Sequence, residues 1–144
     1  MSAGDVARIN ERINEIFEVW SVGDAGFDNQ AIGALYDNTS AFTAFDTLMP
    51  SMSIMEGWQC FADNWTGALE RLKKFECWLE QCLEVTVVGE VAWTRLILGV
   101  SADDTETGGR IEGEQQVTLI WRKSDDWRIV HEHLSGPVRR PQSA

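Results

Sequence analysis

The chain has 144 residues, close to the usual size of one domain, and 44% of them are hydrophobic, with seven tryptophans, so it can bury one sizeable core. A formal net charge of −11 and an isoelectric point near 4.5 repel phosphate backbones and anionic lipid heads, which disfavours nucleic acid and membrane surfaces as partners. No apolar run would span a bilayer, the start MSAGDVARINER lacks a signal peptide's apolar stretch, and Cys60, Cys77 and Cys82, without CxxC spacing, suit free thiols in a reducing cytoplasm.

Ile9, Ile13, Ile16, Phe17 and Trp20 recur at helical spacing, and Ser2 with Asp5 resembles a capping box, which predicts an amphipathic helix over about 5–21. A shorter helix is predicted after Asp28, with Ala31, Ile32, Leu35 and Tyr36 on one face. The stretch 39–46 is β-prone and breaks at Met49-Pro50. Gly57 opens a third helix whose apolar face is Trp58, Phe61, Ala62, Trp65, Leu69 and Leu72. After Lys74 the period drops to two, giving a long strand with one wet face that carries Glu76, Glu80 and Glu84. Three further strands, over about 91–101, 111–123 and 127–135, are joined by turns at 105–110 and 124–126 into an antiparallel meander. Helices first and a sheet later predict an α+β fold, with the helices on one face of the sheet. One domain is expected over 1–137, followed by a loose tail over 138–144.

Three stretches in this order carry a resemblance: TAFD at 43–46, VGEVA at 88–92, and WRKSDDWRIVHEHLSGP at 121–137. They resemble the SnoaL-like branch of the nuclear-transport-factor-2-like superfamily, which includes ketosteroid isomerase and the association domain of the calcium/calmodulin-dependent kinase. The resemblance implies a cone in which a curved antiparallel sheet wraps the long helix and leaves a pocket at the wide end. It also implies dimers formed through the sheet, and members ranging from isomerases, dehydratases, cyclases and hydrolases to proteins with no chemistry. The motifs mark fold better than activity.

Through that resemblance Asp46 matches the isomerase's general base, since it closes the first strand after the helical hairpin. A carboxylate at the mouth of an apolar cone is partly desolvated and becomes a better base. The alternative is that Asp46 caps the turn that follows it. The isomerase's oxyanion donors fall near Ile16 and Phe17 and near Val117 and Thr118, which argues against steroid isomerisation. Tyr36, the single tyrosine, is either a substitute donor or a buried phenol bonded to a backbone carbonyl. The kinase's pocket arginines fall on Leu119 and Leu134, so its basic, carboxylate-binding pocket is absent.

Alternation along the last two strands, set by this match, directs Val117, Leu119, Trp121, Val130, Glu132 and Leu134 toward the cavity. It turns Trp127, Ile129, His131 and His133 to the other face, where dimer contacts are expected. His131 and His133 supply at most two ligands, and no further histidine, cysteine or carboxylate has ligand spacing, so no metal and no cofactor is expected. If the strand runs in the opposite phase, His131 is an acid or base in the cavity instead. Glu132 is either a cavity carboxylate facing Asp46 or a salt-bridge partner of Arg95, Arg110 or Arg128.

The expected pocket comprises Phe17, Tyr36, Trp65, Leu98, Leu119, Trp121 and Leu134, although the Trp58–Phe61–Trp65 stripe also suits plain core. The expected function is a pocket for a small hydrophobic ring compound, with proton-transfer catalysis (isomerisation, dehydration or cyclisation) by Asp46 with Glu132 or His131. The alternative is a non-catalytic dimeric binding or assembly module. An enzyme requires at least two convergent polar groups in the cavity, whereas a binder requires only an apolar wall.

Overall fold

A computed structural model describes residues 2–49 and 52–141. Helix α1 (Ala3–Trp20) starts at Ser2, whose Oγ accepts the Asp5 N–H at 3.4 Å. Ile9, Ile13, Ile16 and Trp20 fall on one stripe of α1, and all four are buried. Arg12 is buried with them, and its guanidinium donates to Trp127 O at 3.0 Å and Ala34 O at 2.8 Å. These bonds tie the first helix to the last strand. Helix α2 (Asn29–Gly33) is capped by Asp28, which accepts the Ala31 N–H. Gly57 precedes α3 (Trp58–Arg71) at φ 87°, a left-handed conformation that a side chain would strain.

Six strands follow or separate the helices: β1 (Thr43–Asp46), β2 (Ile54–Glu56), β3 (Leu72–Val88), β4 (Val91–Asp104), β5 (Arg110–Lys123) and β6 (Trp127–Ser135). They form one curved, unclosed sheet in the order β2-β1-β6-β5-β4-β3. β3 to β6 are an antiparallel meander, and β1 joins its β6 edge in parallel. The helices pack on the inner face, so the expected α+β architecture is observed.

Several expectations need correcting. The first strand covers only 43–46, because 39–42 turns to let Gly57 N–H reach Phe42 O. β2 is three residues long and carries no periodicity to detect. The last turn of α3 ends at Arg71, and Leu72 already belongs to β3. Trp127 and Ile129 face the core, not the outer surface, and Val130 faces away from it. The cause is a β-bulge: Ile120 pairs with His131 while Trp121 pairs with Ile129, leaving Val130 extra. One inserted residue reverses the facing of everything before it. In the tail, Arg140 donates to both carboxylate oxygens of Glu114, whereas 142–144 lie outside the described residues, as does Pro50.

Candidate small-molecule site

The inner face of the sheet and the helices enclose an apolar cavity of about 60 Å³. Ile16, Phe17 and Trp20 of α1 and Trp65 of α3 form one side. Leu96, Leu98 and Val100 of β4, with Val117 and Leu119 of β5, form the other. A second cavity of about 190 Å³ shares Trp65, Phe75, Val100 and Gln115 with it and reaches Leu48 and Arg71.

The carboxyl group of the inner cavity is Glu132, only 8% exposed, on the inward side of β6 beyond the bulge. Tyr36 O–H donates to Glu132 Oε1 at 2.7 Å and accepts the Trp20 Nε1–H at 3.2 Å. Tyr36 is brought there by the backbone. Ile129 N–H donates to Leu35 O, and Asp37 N–H donates to Ile129 O, so the segment after α2 runs alongside β6.

No cation pairs with Glu132 among the described residues. Arg95 is held by Glu84 at 2.6 Å, Arg110 by Asp103 and Glu112, and Arg128 by Asp125. Burial therefore dominates and pushes the Glu132 carboxyl up to about 7, against the lowering effect of the Tyr36 hydrogen bond and aided by the charge of Asp46. Burial, and then the neighbouring Glu132 charge, raises Tyr36 well above its ordinary value and keeps it a donor. Cys77, also on the wall, is pushed up to about 11 by burial and stays a thiol rather than a nucleophile.

Of the residues singled out in the sequence, Phe17, Tyr36, Trp65, Leu98, Leu119, Leu134 and Glu132 line this cavity. Trp121 does not: it is fully buried beyond the wall, with its indole N–H on Thr94 Oγ1 at 3.0 Å. Asp46 is buried but is not on the wall; its Oδ1 accepts the Leu48 N–H at 2.9 Å, the geometry of a turn cap. Its carboxyl is raised by burial, and the Leu48 and Met49 N–H groups act in the opposite direction. His131 is on the outer face, 2.7 Å from Thr43 Oγ1 through Nδ1, with the Phe45 ring against both His131 and His133. Burial, then the charge of His133, lowers His131. Of the three groups expected to move protons, Asp46 with Glu132 or His131 as its partner, only Glu132 lines this cavity. Tyr36 is buried, as one of its two readings has it, but its phenol donates to a carboxylate and not to a backbone carbonyl.

This arrangement offers a carboxyl that ionises near neutrality, a phenol donor to one of its oxygens, and an apolar chamber in front of it. Those are the parts of a general base.

A model of the SnoaL-like domain matches residues 9–139. No curated protein matches. A nuclear transport factor 2-like superfamily protein from Salmonella enterica superposes with a TM-score of 0.83 at 20% identity, covering 98% of this chain and 96% of that one. A ketosteroid isomerase-like protein from Erwinia carotovora gives 0.72 at 15%, covering 92% and 96%. The CaMKII hub of S. rosetta gives 0.70 at 21%, covering 95% and 100%. These likenesses establish the fold. No helix among the described residues is long and apolar enough to cross a membrane.

Proposed function

The chain belongs to the SnoaL-like domain family, and from that premise we propose that it is a small-molecule pocket protein in which Glu132 moves a proton on a hydrophobic ring compound. The reaction class is isomerisation, dehydration or cyclisation. The observation that carries this reading is the Tyr36-bonded Glu132 carboxyl, pushed up to about 7, on an apolar wall. A base with a pKa near the working pH is ionised in useful fraction and still strong enough to accept a proton. Tyr36 occupies Oε1, and Oε2 makes no hydrogen bond among the described residues, so Oε2 is the oxygen that receives the proton. Asp46 acts on this group only through its charge, which raises Glu132, and is a positioning residue rather than the base.

The test is solvent-deuterium exchange into cyclohexanone in D₂O, followed by proton NMR. The wild-type protein is expected to accelerate exchange at the carbons next to the carbonyl, and Glu132→Gln to slow it by at least about a hundredfold. Equal rates for the two proteins would remove Glu132 from the reaction.

A second reading, a dimeric module that assembles through the sheet, is favoured by a separate observation. The outer face exposes Phe45 at 44% and Ile54 at 60%, and Trp78 and Trp93 are also exposed there. Phe45 and Ile54 are cross-strand partners, so they form one contiguous apolar patch, the kind that marks an interaction surface. The two readings are compatible, since they use opposite faces of the sheet.

A further inference from the structure

His131 and His133 are the protein's two histidines, and both stand on the outer face of β6, on the far side of the bulge from Trp127. Residues two apart on a strand put their side chains on one face, with Cα atoms about 6.8 Å apart. The Phe45 ring packs edge-on against both imidazoles, at centroid distances of 5.3 and 5.6 Å, so both rings lean toward one neighbour.

Thr43 Oγ1 lies 2.7 Å from His131 Nδ1. When that oxygen accepts the Nδ1–H, the lone pair of the ring is on Nε2, which is free of hydrogen bonds among the described residues. An oxygen on the far nitrogen is the usual support of a metal-binding imidazole, because it fixes the tautomer and the ring plane. Burial, and then the charge of His133, lowers His131, which favours the neutral ring that a metal requires. His133 is exposed.

One chain thus offers two imidazole nitrogens, whereas a closed zinc site takes four ligands. The outer face names the source of the other two. Thr43 pairs with His131 and Phe45 with His133, so the exposed patch of Phe45 and Ile54 begins one strand spacing, about 4.8 Å, from the histidines. A second copy that covers this patch does so across a two-fold axis, and residues near such an axis meet their own counterparts. Two copies then bring four imidazoles together. Charge favours a cation between them. Each copy carries −11, and Glu56, opposite Thr43 in the strand pair, is exposed on the same face. Two such faces repel each other, and a divalent ion offsets part of that repulsion.

We propose that His131 and His133 of two copies bind one zinc ion at a two-fold contact between outer faces, a site that is incomplete in a single chain. The ligands are His131 Nε2 and a ring nitrogen of His133 from each copy, and Thr43 holds each His131 in place. The metal is a structural tie, with four protein ligands and no position open to water or substrate. The site rests on reading the outer face as an assembly surface. It does not involve Glu132, which is on the opposite face of the sheet.

The test uses untagged protein, dialysed against EDTA and then titrated with zinc chloride. Calorimetry gives the stoichiometry, and sedimentation equilibrium gives the dimer dissociation constant. One zinc per two chains is expected. With free zinc at about ten times its own dissociation constant, the dimer should tighten about tenfold. Cobalt(II) in place of zinc should give the intense visible absorption of a tetrahedral site. In His133→Gln, which changes an exposed side chain and leaves the core intact, the effect of zinc on association should fall within about twofold. In Glu132→Gln it should persist. One zinc per single chain, a zinc effect that survives in His133→Gln, or no zinc binding would overturn the site. A dimer equally tight with and without zinc would keep the assembly surface and overturn the metal, and a monomer under both conditions would overturn both.

Discussion

Glu132 and Tyr36 are 96 positions apart in the chain, and their meeting has measurable consequences. The Glu132 pKa rises from an ordinary 4.5 to about 7 on folding, so the folded protein binds this proton more tightly than the unfolded chain does. Its contribution to stability is fully present below about 4.5, is lost as pH rises through about 7, and changes no further above that, a difference of about 3 kcal/mol. In urea unfolding, wild type should therefore lose stability relative to Glu132→Gln between pH 5 and pH 8; parallel pH curves would show that the carboxyl is not raised. Tyr36→Phe removes the hydrogen bond that lowers Glu132. Its pH–rate midpoint for deuterium exchange should move upward, and stability should fall by about 1–3 kcal/mol because the Trp20 N–H loses its acceptor. Asp46→Asn removes a charge that raises Glu132, so its midpoint should move down while exchange persists. Loss of exchange in that variant would return Asp46 to the role of base. At this scale the sequence made the candidates legible, since a single tyrosine and an acid flanked by two histidines stand out. It did not reveal their pairing, because nothing local signals that the loop after α2 bridges to Ile129.

Among the elements, periodicity made both long helices and the meander legible, with boundaries displaced by a few residues. The facing of β6 was not legible along its whole length. Alternation counted back from Glu132 assigns Ile129 and Trp127 to the outer surface, and the bulge at Val130 returns them to the core. A bulge is a backbone event that leaves no mark in side-chain type, so only the burial of a tryptophan next to a charged turn hints at it. Trp127 is 1% exposed, and its indole N–H donates to Asp5 Oδ1 at 3.1 Å. Trp127→Ala should lower stability by about 3–5 kcal/mol through the cavity it leaves, read as a drop in the urea midpoint. A near-wild-type midpoint would mean that the strand turns this residue outward after all.

For the whole molecule, the sheet presents two different faces. Its concave side holds the cavity, and its convex side presents Phe45 between His131 and His133. If copies meet through that side, Phe45→Glu should give a monomer by light scattering while deuterium exchange continues. A monomeric wild-type protein would instead leave the convex face without this role. The family motifs point to this division of the sheet. The sequence does not reveal how wide the cavity is, because width depends on the exact approach of α1 to the strands.

Arg12 is the buried tie in that approach, beside the bonds of Asp5 to Trp127 and of Arg8 to Asp126. Its guanidinium grips the carbonyls of Trp127 and Ala34, while Trp20 lies roughly two helical turns further on, about 12 Å along the axis. The helix thus works as a gauge rod, clamped at one end and read at the other. A slip of one residue at the clamp would swing Trp20 by about 100° and withdraw its N–H from Tyr36. The alignment of the proton-bearing groups is therefore calibrated by a residue that touches none of them.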